Sequence, residues 1–213
     1  MKENYILIHT GENNQIIDRN FGDKLNKKIV LESDSNVKYL VISRGSNIDL
    51  DFISSGDGAK FEIYGIFFSK NKEEIIGNIS IDLKNSGSNA DVYLLSLMGN
   101  EAIIKVKGNI DIQKGIKSVN GHLLEENIIL GEKIRVNTLP ILNVSSNDVS
   151  AGHGARIQKL DSEKLFYMMS KGLSDKKSKQ IIIKGYIDYI LEKFDIGEGE
   201  KDEIENMILD YLL

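Results

Sequence analysis

NISIDLKNSGSNADVYLLSLMGNEAIIKVKGNIDIQKG, residues 78–115, carries the pattern that decides the fold. The runs NISIDLK, DVYLLSLMG and AIIKVKGNIDIQKG are short, apolar or alternating, and rich in β-branched residues, which suits pleated backbone. The polar clusters KNSGSN and MGNE separate them. Working outward, the same texture covers KIVLESD, VKYLVIS, NIDLDFIS and KFEIYGIFF before this stretch, and NIILGE and TLPILNV after it. Evenly spaced short strands fit a sandwich, a barrel or a β-solenoid. Two details favour the solenoid. The strands follow one another with no helix between them, and several turns are wide and polar rather than two-residue Asn-Gly hairpins. In a parallel β-helix the inward residues would be Ile63, Ile79, Ile81, Leu83, Val92, Leu94, Ile104, Val106, Ile110, Ile112, Ile128 and Leu130, each stacked between neighbouring coils. No exact repeat accompanies the pattern. Residues 1 to about 27 read least clearly, with Tyr5–His9 the one strand candidate.

The 213 residues, 41% hydrophobic and 28% charged, suit a globular protein with a sizeable core. A net charge of -5 argues against a nucleic-acid footprint, which needs a basic face. With no cysteine, disulfides, thiol nucleophiles and thiolate metal sites are excluded from this chain. The first residues, MKENYILIHTGENN, lack the apolar core of a signal peptide, and no apolar run reaches transmembrane length, so a cytoplasmic protein without a membrane partner is expected. No GxxxxGK[ST] loop is present, so the chain does not bind ATP by that route, and no nucleophile elbow or HExxH pattern appears; a chain that is not an enzyme is expected.

After Ile157 the texture turns helical. Asp161 and Ser162 offer an N-cap, Leu165, Phe166, Met168 and Met169 an apolar face, and Gly172 a C-terminal stop. Ser174 and Asp175 open a second helix with Ile182, Tyr186, Tyr189, Ile190 and Leu191, running to about Gly197–Gly199, and Glu200–Leu213 makes a third. The division expected is a parallel β-helix body over 1–158 and a small helical domain over 159–213.

At the junction, NDVSAGHGA (147–155) followed by KLDSEKLFYMMSKGLS (159–174) resembles the SufB/SufD family of iron–sulfur cluster assembly proteins. That family typically reads DDV, a spacer, HGA, then LFYL-x-SRGL and a helix with a GF or GY pair, here Gly185-Tyr186. KGNIDIQKG (107–115) and NIILGEKIRVNTLPILNV (127–144) resemble its late coils. The resemblance implies a right-handed parallel β-helix, dimerisation through its last strands, and docking of the helical domain on an ABC-type ATPase. The HGA motif brings the chain closer to the SufD branch. The second chain of the dimer would be a copy of this one or a SufB-like subunit.

The departures bear on chemistry. Ile134 stands where the SufB branch has its cluster-building cysteine, Asn137 where it has a histidine, and Ala151 where SufD-like members often carry a cysteine. A single imidazole cannot hold a cluster. His153 is the metal-ligand candidate, for a transient iron–sulfur cluster or iron at a dimer interface, against a hydrogen-bonded structural role. Glu125 and Glu126 could add carboxylates, against a solvated acidic turn. His9 and His122 read as surface residues and Asp148 as a turn cap. Phe166, Tyr167 and Lys171 are candidates for the ATPase face, against a packed helical core. Two further functions stand beside assembly. One is a structural adaptor without cluster chemistry. The other is a carbohydrate-active β-helix using Asp49, Asp51 and Asp82, all expected to point outward.

Overall fold

The computed structural model describes residues 4–213. Twelve strands form two parallel sheets, and three helices follow. Sheet A holds, in spatial order, β1 (Asn4–Ile8), β3 (Lys24–Leu31), β5 (Asn47–Ser54), β7 (Glu74–Leu83), β9 (Ile103–Ile112) and β11 (Arg135–Val144). Sheet B holds β2 (Asn13–Phe21), β4 (Asn36–Arg44), β6 (Lys60–Ser69), β8 (Asn89–Met98), β10 (Val119–Ile129) and β12 (Val149–Lys159). Odd and even strands alternate between the sheets, so each coil is one strand of A and one of B. This is a parallel β-helix.

The register explains why no repeat is legible. Lys24 pairs with Asn47, 23 positions on, whereas Asn47 pairs with Ile76, 29 positions on, and Ile103 with Arg135, 32 positions on. The coils lengthen along the chain, and the added residues go into both strands and turns. Those turns are stacked by hydrogen bonds from coil to coil. The N–H of Asp34 donates to the Asp57 carbonyl at 2.8 Å, Gly58 to Ser86 at 2.9 Å and Gly87 to Lys117 at 2.9 Å. Asp34, Gly58, Gly87 and Ser118 all have φ between 54° and 74°, the left-handed region that Gly, Asn and Asp tolerate best.

Between the sheets runs one apolar core that includes Ile63, Ile79, Ile81, Leu83, Val92 and Ile104, all at or below 1% exposed. Of the expected inward residues, Ile128 and Leu130 lie elsewhere. Ile128 is fully buried, but in a second core on the outer face of sheet B, and Leu130 packs against that core from the turn after β10. This second core exists because the helices fold back over sheet B. Leu40, Ile42, Ile66, Phe68, Leu95 and Leu97 of β4, β6 and β8 meet Ile183, Ile187, Ile190, Ile204 and Ile208 of the helices. Sheet B is therefore buried on both faces and reads as continuous apolar runs (YLVI, YGIFF, YLLSLM). Sheet A is buried on one face and alternates (NIDLDFIS, NISIDL).

Helix α1 (Ser162–Ser170) starts where the Asp161 carboxylate accepts the Glu163 and Lys164 amides, and it buries none of its residues. It ends in a Schellman turn: Leu173 N–H donates to the Met168 carbonyl and Gly172 N–H to that of Met169, with Gly172 at φ 91°. Helix α2 (Asp175–Leu191) is capped by Ser174, and α3 (Glu198–Leu212) follows Gly197. The third helix thus begins at Glu198, two residues earlier than the sequence pattern suggests. Arg19 of β2 reaches Glu200 and Glu203 of α3 at 2.7 and 3.0 Å, so the helices span sheet B from the last coil to the first.

The N-terminal segment that reads least clearly forms β1, β2 and the start of β3; residues 1–3 lie outside the described residues. Beside the inward Ile6, Ile8 and Ile16, the first two coils carry a polar pair inside. Asp18, in register with inward Val41, and Lys27, in register with inward Leu50, form an ion pair at 2.6 Å. The Tyr39 hydroxyl donates to the same carboxylate. Burial and the Asp18 charge push the Tyr39 phenol well above its usual range.

Candidate functional site

The last coil, like the first, closes each sheet with an edge strand: β11 pairs only with β9 and β12 only with β10, so both leave backbone groups without strand partners. Strand register gives the direction of each side chain. On β11, Leu142 and Val144 oppose inward Ile110 and Ile112; on β12, Val149, Ala151, His153 and Ile157 oppose Val119, Gly121, Leu123 and Asn127. These residues face the interior with no further coil upon them. Val144 is 43% and Ile157 51% exposed. The open end is therefore an apolar cross-section of the core with His153 in its midst.

Glu125 and Glu126 are in no turn, solvated or otherwise. Both lie within β10, are 1% and 5% exposed, and, being consecutive, point to opposite faces. Glu125 faces the interior. One carboxylate oxygen accepts the Gly108 N–H at 2.8 Å and the other the Thr138 hydroxyl of β11. Gly108 makes the room: a Cβ there would lie 2.9 Å from Glu125 Oε1 and 2.8 Å from Leu123. Burial pushes the Glu125 carboxyl above its ordinary range, against the hydrogen bonds and the nearby His153, which act to lower it. Glu126 faces the helices and accepts from Tyr93 at 2.6 Å, from Arg156 at 3.0 Å and from Gln158 at 3.0 Å. It ties β8, β10 and β12 together beneath α2, where Gln158 also donates to the Tyr186 hydroxyl.

The other singled-out residues fall as follows. Ile134 and Ala151 pack against the inner core, and Asn137 is an exposed position on β11. None of the three can replace a thiolate. Asp148 completes the turn stack: its carboxylate accepts the Ser118 amide at 3.0 Å and hydroxyl at 3.3 Å, where preceding coils use a backbone carbonyl. His9 lies 3.3 Å from Glu32 at the other end of the molecule. His122 points out of sheet B, in register with Asp91. Asp49 and Asp82 lie on the outer face of sheet A and accept from Asn78 and Gln113 at 2.9 Å each; Asp51 shares that face and is also engaged. On α1, Phe166 and Tyr167 are 75% and 62% exposed, and the Lys171 ammonium sits 5.4 Å from the Tyr167 ring.

Among the described residues, no three His, Asp or Glu side chains are grouped to hold a metal ion. The donors of this chain alone thus do not fit an iron–sulfur cluster. No helix is long and apolar enough to cross a membrane. Sequence reasoning had no means to see the Glu125–Gly108–Thr138 contact, which links three strands of two sheets. The one signal was a glycine inside the otherwise apolar-alternating KVKGNID.

Residues 15–186 match the family model described as SUF system FeS cluster assembly, SufBD core domain. A SufBD family protein of Pyrococcus horikoshii is 28% identical over 141 residues, 66% of this chain and 31% of its own length. One from Synechocystis is 22% identical over 200 residues, covering 89% and 44%. The SufD of Bacillus subtilis is 27% identical over 133 residues, covering 62% and 30%. The chain thus spans 30% to 44% of the length of these relatives. With the family model matched over most of its length and a parallel β-helix leading into helices, the chain belongs to the SufB/SufD family of iron–sulfur cluster assembly proteins and is SufD-like.

Proposed function

We propose that this chain is a non-enzymatic, cytoplasmic subunit of a SUF-type assembly complex, joined to a second chain through its open end and to an ABC-type ATPase through its helical segment. The observation that carries the reading is the contrast between the two ends of the solenoid. Stacked-coil proteins need polar terminal coils to stay soluble. At the N-terminal end the Asp18–Lys27 pair lies inside the first two coils, while the last coil presents Leu142, Val144, Val149 and Ile157; both ends have unpaired strand edges. An apolar face rimmed by free backbone donors and acceptors suits pairing with another chain. The ATPase would meet α1, whose Phe166, Tyr167 and Met169 are exposed and whose Lys171 lies beside Tyr167. Exposed aromatics of this kind anchor protein interfaces.

The cluster is cargo in this reading. His153 would contribute one imidazole to iron in transit at the interface, with the other donors coming from the second chain, either a copy or a cysteine-bearing SufB-like subunit. The hydrophobic Ile134 and Ala151 favour a second reading, an adaptor that handles no cluster. Anaerobic loading with iron and sulfide, wild type against His153→Ala in the assembled complex, separates the two; equal uptake removes His153 from cluster chemistry. The assembly reading is tested by co-purification with an ABC ATPase encoded beside this chain. Absence of binding together with unchanged ATP turnover would overturn it.

A further inference from the structure

The outer face of sheet B carries a groove of about 410 Å³ that reaches His153 on the last coil and lies apart from α1. Its floor is a cross-strand row, Tyr64 of β6, Tyr93 of β8, Leu124 of β10 and Gly154 of β12. A second row, Glu62, Asp91, His122 and Gly152, runs parallel to it. Tyr189 of α2 forms the wall, its ring edge-to-face with Tyr93 at 5.4 Å and already met by the chain's own Lys193 ammonium at 5.0 Å. The two glycines that flank His153 leave the far side as bare backbone: a Cβ on Gly152 would come 3.7 Å from the His122 ring, and one on Gly154 3.7 Å from Leu124.

Three features of this groove ask for a ligand. Tyr64 is 6% exposed, yet its hydroxyl makes no hydrogen bond with any described residue. Asp91 is exposed within the groove, and its carboxylate has neither an ion-pair nor a hydrogen-bond partner among the described residues. It stands directly opposite another carboxylate, Glu62, whose nearest cation is Lys38 at 3.7 Å. Like charges facing across strands repel. Burial, and then the charges of Asp91 and Glu62, push the Tyr64 phenol up to about 12, so it stays a neutral hydroxyl.

From this geometry we infer that the groove binds a guanidinium or ammonium group, held by the Asp91 carboxylate, the Tyr64 hydroxyl as acceptor, and the rings of Tyr93 and Tyr189. Aromatic faces beside an unpaired carboxylate are the usual surroundings of a bound organic cation. The cation comes either on a free small molecule or on an Arg or Lys side chain of another chain, for which the bare backbone of edge strand β12 leaves an approach. The site stands whether or not the assembly reading does.

The test uses the full chain with carbon-13-labelled tyrosine, following the ring resonances by NMR during titration with N-acetyl-arginine methylamide. The neutral citrulline analogue, of the same shape, is the control. Selective shifts of Tyr64, Tyr93 and Tyr189 by the arginine probe alone are expected. Asp91→Asn and Tyr189→Leu, both at exposed positions, should each weaken binding about fivefold or more. A protein-concentration series without probe identifies the source. If a second copy supplies the cation, the same resonances move with concentration in wild type and not in Asp91→Asn; otherwise they stay fixed. No shift, equal shifts by the citrulline analogue, or unchanged affinity in both variants would overturn the proposal.

Discussion

Asp148→Ala should loosen the last coil by an amount that can be worked from its contacts. The Asp148 carboxylate accepts the Ser118 N–H at 3.0 Å and the Ser118 hydroxyl at 3.3 Å. In earlier coils the equivalent N–H finds a carbonyl in the next turn, so the variant leaves Ser118 with no such acceptor at φ 56°. Hydrogen bonds to a charged group contribute about 1.5–3 kcal/mol when sheltered; this pair is solvent-exposed, which reduces the loss to about 1–2 kcal/mol. For a chain of 213 residues that corresponds to a fall in Tm of about 3–6 °C. Circular dichroism melts measure it, and hydrogen exchange should show the amides of β12 losing protection before those of β4–β8. Asp148→Asn keeps an acceptor and should lose less than half as much. If Asp148→Ala melts with wild type, or the asparagine variant melts as low as the alanine one, the carboxylate does not close the turn stack.

Three further outcomes follow from the same contacts. Ile187→Ala removes a fully buried side chain between α2 and sheet B, and should cost about 2–5 kcal/mol in denaturant unfolding. Glu125→Gln keeps the size and the Gly108 contact but removes a buried charge. Because burial raises the folded-state pKa of Glu125 above its ordinary 4.5, the folded chain binds more protons across that window, and stability falls as pH rises through it. The variant should therefore gain on wild type above the window, with the gain vanishing as pH falls below about 4.5; a constant difference at all pH values would contradict the assignment. Phe166→Ala combined with Tyr167→Ala should change stability by no more than about 0.5 kcal/mol, since α1 buries nothing, while weakening ATPase binding at least about tenfold.

How far the sequence speaks differs between elements. The strands of sheet A are plain in it because one face meets water, so NIDLDFIS and NISIDL alternate. Those of sheet B are equally plain as strands, but their continuous apolar runs do not reveal that the second face is covered by helices. That is why Ile128 reads as an interior residue of the solenoid and lies instead beneath α2 and α3. β2 escapes notice because a terminal coil tolerates Asp18 and Arg19, each held by a partner distant in sequence or on another element. Of the site, His153 and the exposed aromatics of α1 are legible from their motifs. The coupling of Glu125 to Gly108 and Thr138, and the groove between Tyr64 and Tyr189, arise from register between coils of unequal length, which no local pattern encodes.

The most direct measurement is sedimentation velocity of the chain alone and mixed with a cysteine-bearing SufB/SufD relative, comparing wild type with Val144→Lys combined with Ile157→Lys. Both side chains lie on the open end and bear on no other core contact, so the fold should survive the charges. Assembly through the open end predicts a dimer of wild type in at least one of the two mixtures, weakened at least about tenfold by the lysines in each mixture where it forms. Wild type that stays monomeric in both, or a lysine variant that dimerises as tightly, would contradict it.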